Sequence, residues 1–256
     1  MANSKSWQKV FNDYKILYHD FDKSPFPLSA TQIKRACQKF KETSEKEVRI
    51  LCKQDSRESR PDIFKNNNLF LLPVKNGHYN IIKGEGYINI PEIKKEIVVY
   101  SSKLDFQLDT AKIGNSEMQH LDYAYAASLI RTFIGDPSLV LTIRGRKYTP
   151  NFEFFVGRQF IKVSGVQTEV DAGYEGKEQV VLIEAKNFSA TNIIIRQLYY
   201  PFRQWQERTK KKVITLFFDK KHDEDIYSIW QFEFGDSKIY NDISLVRSGK
   251  FRIIEK

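Results

Sequence analysis

The sequence predicts an α/β protein in which a mixed sheet is flanked by helices, preceded by a smaller basic module of helices and a hairpin. Three observations carry that expectation. Residues 30–53 place apolar side chains at near-helical spacing, and a helix from about residue 116 is followed by several strand-like segments, a second helix and a further strand. The run VVLIEAKN, residues 180–187, begins with four aliphatic residues of the kind that fill a strand buried on both faces. Two charges, Glu184 and Lys186, close that strand and need a reason.

With 256 residues, 41% of them hydrophobic and 29% charged, the chain has the composition of a soluble globular protein with a sizeable core. No uninterrupted apolar segment of about 20 residues occurs, and the opening MANSKSWQKVFNDYK has no apolar stretch of the secretory type, so a cytoplasmic location is expected and a membrane is not. Lys and Arg outnumber Asp and Glu by 41 to 32, a formal charge of +9, and the pI near 9.3 makes a polyanion the first partner to consider. Cys37 and Cys52 fit no metal, redox or disulfide spacing. His78, His120 and His222 have no helical metal-ligand spacing and receive no role.

In chain order, Ile33, Ala36, Cys37 and Phe40, then Val48, Leu51 and Cys52, predict two short helices interrupted at Thr43-Ser44, with Ser44 and Glu47 as a capping box for the second. NLFLLPV and HYNIIKG around Asn76-Gly77 predict a hairpin. Residues 1–60 hold 13 Lys and Arg against 8 Asp and Glu, a net of +5, so residues 1–100 read as a basic, winged-helix-like module that recognises DNA, with Lys34 and Arg35 as its candidate contacts. The competing reading is a helical extension with a solvated basic face. Residues 101–256 form the second domain. Within 91–114 only Ile97–Tyr100 suggests a strand, and Ser116–Phe133 predicts a helix stopped by Gly135-Asp136-Pro137. LVLTIRG, FEFFVGRQFIKVSG, QTEVDAG and VVLIEAK follow as strands, then a helix from about Ile193 to Gln206, and the strands KKVITLFFD and IYSIWQFEF.

Side chains alternate along a strand, so Glu184 and Lys186 share a face. The preceding strand ends near Asp171, and GYEGKEQ supplies a reversal, so a hairpin with a bend or bulge around Gly173 would bring Asp171 to Glu184. Two carboxylates and a lysine that converge suit a hard divalent cation and the charge of phosphodiester hydrolysis. The tripeptide alone says little, since Glu92-Ile-Lys94, Glu175-Gly-Lys177, Asp219-Lys-Lys221 and Asp236-Ser-Lys238 repeat it. What distinguishes IEAK is its place at the end of an aliphatic strand, with an acid 13 positions upstream across a turn. The plain alternative is an ion pair at a strand edge.

EVDAGYEGKEQVVLIEAKN resembles the D-(x)n-E-x-K signature of the PD-(D/E)XK nuclease superfamily, and with the surrounding order of elements, over about residues 115–220, it is similar to type II restriction endonucleases. Val170 stands where that pattern often has proline. The resemblance implies a restriction-endonuclease-like core and Mg²⁺ bound by Asp171 and Glu184. It further implies the carbonyl of Ala185 as another ligand, Lys186 assisting the attacking water, and a further acid from the helix before the sheet, Glu117 ahead of Asp122.

After the motif, IIIRQLYYPFRQWQERTKKK offers Arg196, Gln197 and Arg203 as contacts to DNA phosphates, while its aromatics read as core. The Q-h-x-x-Y pattern of some superfamily exonucleases is absent, because counting from Gln197 reaches Pro201. The expected function is that of a Mg²⁺-dependent endonuclease cutting double-stranded DNA at a specific sequence, acting as a homodimer if its site is palindromic. A structure-specific repair or junction-resolving nuclease, and a winged-helix DNA-binding regulator with an inert nuclease-like domain, are the rival readings.

Overall fold

The computed structural model describes residues 3–187, 189–221 and 225–255; His222 lies outside them. The N-terminal part is built from α1 (Asn3–Asp13), β1 (Phe26–Ser29), α2 (Ala30–Cys37), the single turns α3 (Thr43–Lys46) and α4 (Val48–Leu51), α5 (Asp62–Asn66), β2 (Leu69–Lys75) and β3 (His78–Lys83). β1, β3 and β2 pair antiparallel in that order, with the β2–β3 turn at Asn76-Gly77. The capping box belongs to α2 and not to the later helix: Ser29 accepts the Gln32 N–H, and Gln32 accepts the Ser29 N–H. Ser44 lies inside the α3 turn and caps nothing.

The remainder comprises β4 (Tyr87–Asn89), β5 (Ile97–Ser101), α6 (Glu117–Ala126), α7 (Leu129–Ile134), β6 (Val140–Tyr148), β7 (Phe152–Val156), β8 (Gln159–Val163), β9 (Gln167–Glu175), β10 (Gln179–Lys186), β11 (Asn192–Ile194), α8 (Arg196–Gln206), β12 (Lys212–Lys221), β13 (Ile226–Phe234) and β14 (Ile243–Ile254). Among the described residues, seven strands form one mixed sheet in the order β5-β14-β13-β12-β10-β9-β6. β9 and β10 form the expected hairpin, while β10 and β12 run parallel, joined by the crossover through α8. The predicted helix over 116–133 is two helices, because Ser128 takes a left-handed conformation between them. FEFFVGRQFIKVSG stands apart from the large sheet as the β7–β8 ribbon.

The continuous aliphatic run of β10 follows from helices on both faces. Val181, Ile183 and Ala185 join the core beneath α6 and α7, whereas Val180 and Leu182 pack with Trp205 on the α8 side. Placing the boundary at residue 100 fails at β5, which completes the edge of the large sheet by pairing parallel with β14; the basic module ends with β3. That module has a core of its own, in which Trp7, Phe11, Ile33, Leu51 and Phe64 gather with Leu71 and Ile81 of the hairpin, yet the hairpin also joins a second one. Phe70, Leu72 and Ile82 of its hairpin share one buried aromatic cluster with Phe152, Phe154, Tyr199, Tyr200 and Tyr240.

Register explains how β9 delivers its acid. On β6, Ile143 lies opposite Gly173 and Gly145 opposite Val170, so Asp171 and Ala172 together face the single residue Arg144. That two-against-one bulge switches the strand's faces: Ala172 belongs to the α6–α7 core and Val170 to the α8 side. The close approach of β6 and β9 just above it requires glycine, because a Cβ on Gly173 would stand 2.6 Å from the Cβ of Ile143. Gly173→Ala should therefore destabilise the fold by about 1–3 kcal/mol through overpacking, read as a lower urea midpoint; an unchanged midpoint would show that the strands separate freely.

Candidate functional site

At the end of β10 the ladder with β9 closes at Ile183 opposite Ala172. The next amide, that of Ala185, donates to Asp171 Oδ2 at 2.8 Å, so the side chain of Asp171 continues the pairing where the backbone leaves it. Glu184 is almost wholly buried, and its Oε1 accepts from Lys186 Nζ at 2.5 Å and from Gln197 Nε2 at 2.7 Å. Strand alternation thus supplies the lysine and the first turn of α8 supplies the amide.

These groups line a cleft of about 530 Å³. Ser116, Glu117 and Met118 enter it from the start of α6, Gln167, Thr168 and Glu169 from β9, and Arg196 and Pro201 from α8. Lys53 and Asp55 reach it from the N-terminal module. Asp55 also fixes the two parts together: its carbonyl accepts the Ile194 N–H at 2.9 Å, and its carboxylate stands 3.8 Å from Arg196.

Burial dominates the electrostatics. Desolvation pushes the Glu184 carboxyl up to about 7 from the ordinary 4.5, against the pull of Lys186 and with a further push from Asp171. Asp171 is raised, chiefly by burial, although the Ala185 N–H draws it down. Glu117 is raised by burial too, partly offset by Lys186. For Lys186, burial favours the neutral amine, but Glu184, Glu117 and Asp171 outweigh it and hold the ammonium above its ordinary value.

The candidates therefore divide. Asp171, Glu184, Lys186, Arg196, Gln197 and Glu117 line one cleft. Ala185 buries its methyl in the core and gives its N–H to Asp171. Lys34 and Arg35 are exposed on α2, away from the lining of the cleft. Arg203 is not among the residues that line this cleft: its side chain is 7% exposed, and Nη1 donates to the carbonyls of Glu153 and Ser237 and to Tyr199. Tyr199 and Tyr200 are fully buried, as core residues should be. Lys53 and Asp55 carry no periodic signal in the sequence, since they lie in an irregular segment after α4, whereas Glu169 carries one, two residues before Asp171 on a strand.

Among the described residues, no group of three His, Cys, Asp or Glu side chains is gathered closely enough to hold a metal ion unaided. What exists is a pair of acids from adjacent strands, a buried lysine and an amide, set in a two-walled cleft on a mixed sheet. A family model described as "Domain of unknown function (DUF6997)" matches residues 82–252, more than half of the chain, and the chain belongs to that family. A second, "Domain of unknown function (DUF6996)", matches residues 4–81, so the division falls at the end of β3. No curated protein and no solved structure matches the chain.

The raised carboxyl has a sign that can be checked. Between about pH 4.5 and 7 the native chain holds a proton on Glu184 that the unfolded chain releases. The contribution of this residue to stability is therefore greatest below 4.5, declines as pH rises to about 7 and is constant beyond. In buffer free of divalent cations, wild-type stability relative to Glu184→Gln should decline across that window by a few kcal/mol, at about 1.4 kcal/mol per pH unit. Parallel stability curves for the two proteins would contradict it.

Proposed function

We propose that this chain is a Mg²⁺-dependent endonuclease acting on double-stranded DNA, with a winged-helix-like N-terminal module, and that sequence-specific cutting of the type II restriction kind is its activity. The observation that carries the reading is the convergence of Asp171 with Glu184 and Lys186 in one cleft, produced by a bulged antiparallel hairpin next to a parallel crossover. Helix, three antiparallel strands β6, β9 and β10, helix α8 and parallel β12 is the order that the resemblance to PD-(D/E)XK nucleases implies. In the N-terminal part, helix, strand, helices and a closing hairpin with the sheet order β1-β3-β2 support the winged-helix comparison.

The residues suit the cation. Asp171 and Glu184 offer carboxylate oxygens, and the Ala185 carbonyl follows Glu184 in sequence; Mg²⁺ needs only one or two carboxylates when water and substrate phosphate complete its shell. When bound, it would supply Lewis-acid stabilisation of the charge that develops on the phosphate. The chain's own contribution is positional. The Ala185 N–H fixes the rotamer of Asp171, and Gln197 and Lys186 hold Glu184 against the sheet. Lys186, kept protonated by the acids around it, orients water and offsets negative charge at the reacting phosphate. Arg196, beside Gln197 at the start of α8, receives the phosphate backbone.

Incubation of a long plasmid or phage DNA with the protein and Mg²⁺ should give discrete bands, and EDTA should abolish them. Asp171→Ala and Lys186→Met should each lower cleavage at least a hundredfold, in line with about 10²–10³ for removing one charge-stabilising group, while duplex binding in Ca²⁺ persists. A smear would point to a nuclease without sequence preference. Full cleavage by either variant would end the assignment of these residues.

A further inference from the structure

We propose that the exposed edge of β6, through Arg146 with Tyr148 beside it, and Lys53 on the facing wall form the track that carries the sugar-phosphate backbone of the nucleic acid across the cleft; this rests on the nuclease reading above. Arg146 lies directly opposite Glu169, and Tyr148 opposite Gln167. Directly opposed residues of an antiparallel pair point to the same face of the sheet. Gln167 and Glu169 both line the cleft, so the β6 row continues its wall one strand further out.

The bulge at Asp171 makes this possible. Past it, Val170 and Thr168 are buried on the α8 side, where Thr168 Oγ1 donates to Gln204 at the cleft's floor, and Gln167 and Glu169 form the exposed row. β6 is the last strand of its sheet, and Tyr148 is 56% exposed, so an aromatic ring stands in water at the cleft's rim. Arg208 adds a second guanidinium at this end, 3.4 Å from the Tyr148 carbonyl.

Neither cation is committed elsewhere. Arg146 pairs with Glu169 at 3.3 Å with side chains 66% and 55% exposed, and Lys53 stands 3.8 Å from Asp55 with its own side chain 75% exposed. Exposed pairs of this kind contribute little to stability, so a phosphate can replace the carboxylate. Because Lys53 belongs to the N-terminal module and Arg146 to the sheet domain, one strand of nucleic acid would touch both parts at once. Charged residues also occur on edge strands merely to deter pairing with another chain, and that is the competing account.

The test is fluorescence anisotropy of a duplex oligonucleotide with Ca²⁺ in place of Mg²⁺, titrated over a range of salt for wild type, Arg146→Ala, Lys53→Ala and the double variant. Each single change should weaken binding several-fold on unrelated sequences alike and reduce the slope of log affinity against log salt by about one, the double by about two, as each lost phosphate contact requires. Arg146→Lys should keep most of the slope, and Tyr148→Ser should weaken binding without changing it. Circular dichroism should be unaltered, since all these side chains are exposed; if Arg146→Ala is misfolded, Arg146→Gln takes its place. Wild-type binding with unchanged slopes in the variants, or a gain in aggregation alone, overturns the track and leaves the nuclease reading standing. Failure of wild type to bind any duplex overturns both.

Discussion

The carboxylate of Glu184, taken out of water at the end of an aliphatic strand, is the constraint around which the cleft is organised. A buried carboxylate is costly unless it is paired and hydrogen-bonded. Lys186 meets that need from the same strand face, and Gln197 meets it from α8. Asp171 adds a second negative group to the same space, which is tolerable because the backbone N–H of Ala185 stabilises it. Each of these contacts depends on another element: the hairpin for Asp171, the parallel crossover for Gln197, and the two helical layers for the burial itself. Burial, and after it the neighbouring Asp171, holds Glu184 above the ordinary carboxylate range against the pull of Lys186.

Much of this was legible in the residues, and the reasons are specific. The helix–strands–helix–strand order could be read because α6, β10, α8 and β12 each carry strong local patterns. Asp171, Glu184 and Lys186 could be named because alternation on one strand and a single turn are short-range matters. Arg203 could not be judged, since its burial is decided by β7 and by the carbonyl of Ser237, both distant in sequence. Lys53 and Asp55 gave no periodic signal, and their approach to the cleft depends on how two modules dock. β14 escaped notice because ISLVRSGKFRII mixes charges and a glycine into a strand that is half exposed. The bulge at Asp171 lay between the two cases: its need could be argued from the hairpin, while its place required the register of β6.

The join between the modules is as telling as the cleft. Arg57 donates to Glu85 and Asn89 and to the carbonyl of Tyr87, while Asn192 receives the Arg57 N–H and donates to Glu58. These polar contacts border the aromatic cluster in which Phe70, Leu72 and Ile82 meet Tyr199 and Tyr200. Tyr200 even gives its hydroxyl proton to the carbonyl of Pro73 in the N-terminal hairpin, at 2.9 Å. The helix that carries Arg196 and Gln197 toward the acids is thus held from behind by the module that precedes the sheet.

That shared cluster removes a freedom which a chain of two modules usually keeps. Where a linker separates binding from chemistry, either half can be exchanged for a foreign one. Here a graft at the end of β3 would leave α8 without the surface against which its tyrosines are packed, and the amide on Glu184 would lose its mooring. Changes in the N-terminal part must therefore arise on its outer helices, residue by residue, while the hairpin facing α8 stays fixed.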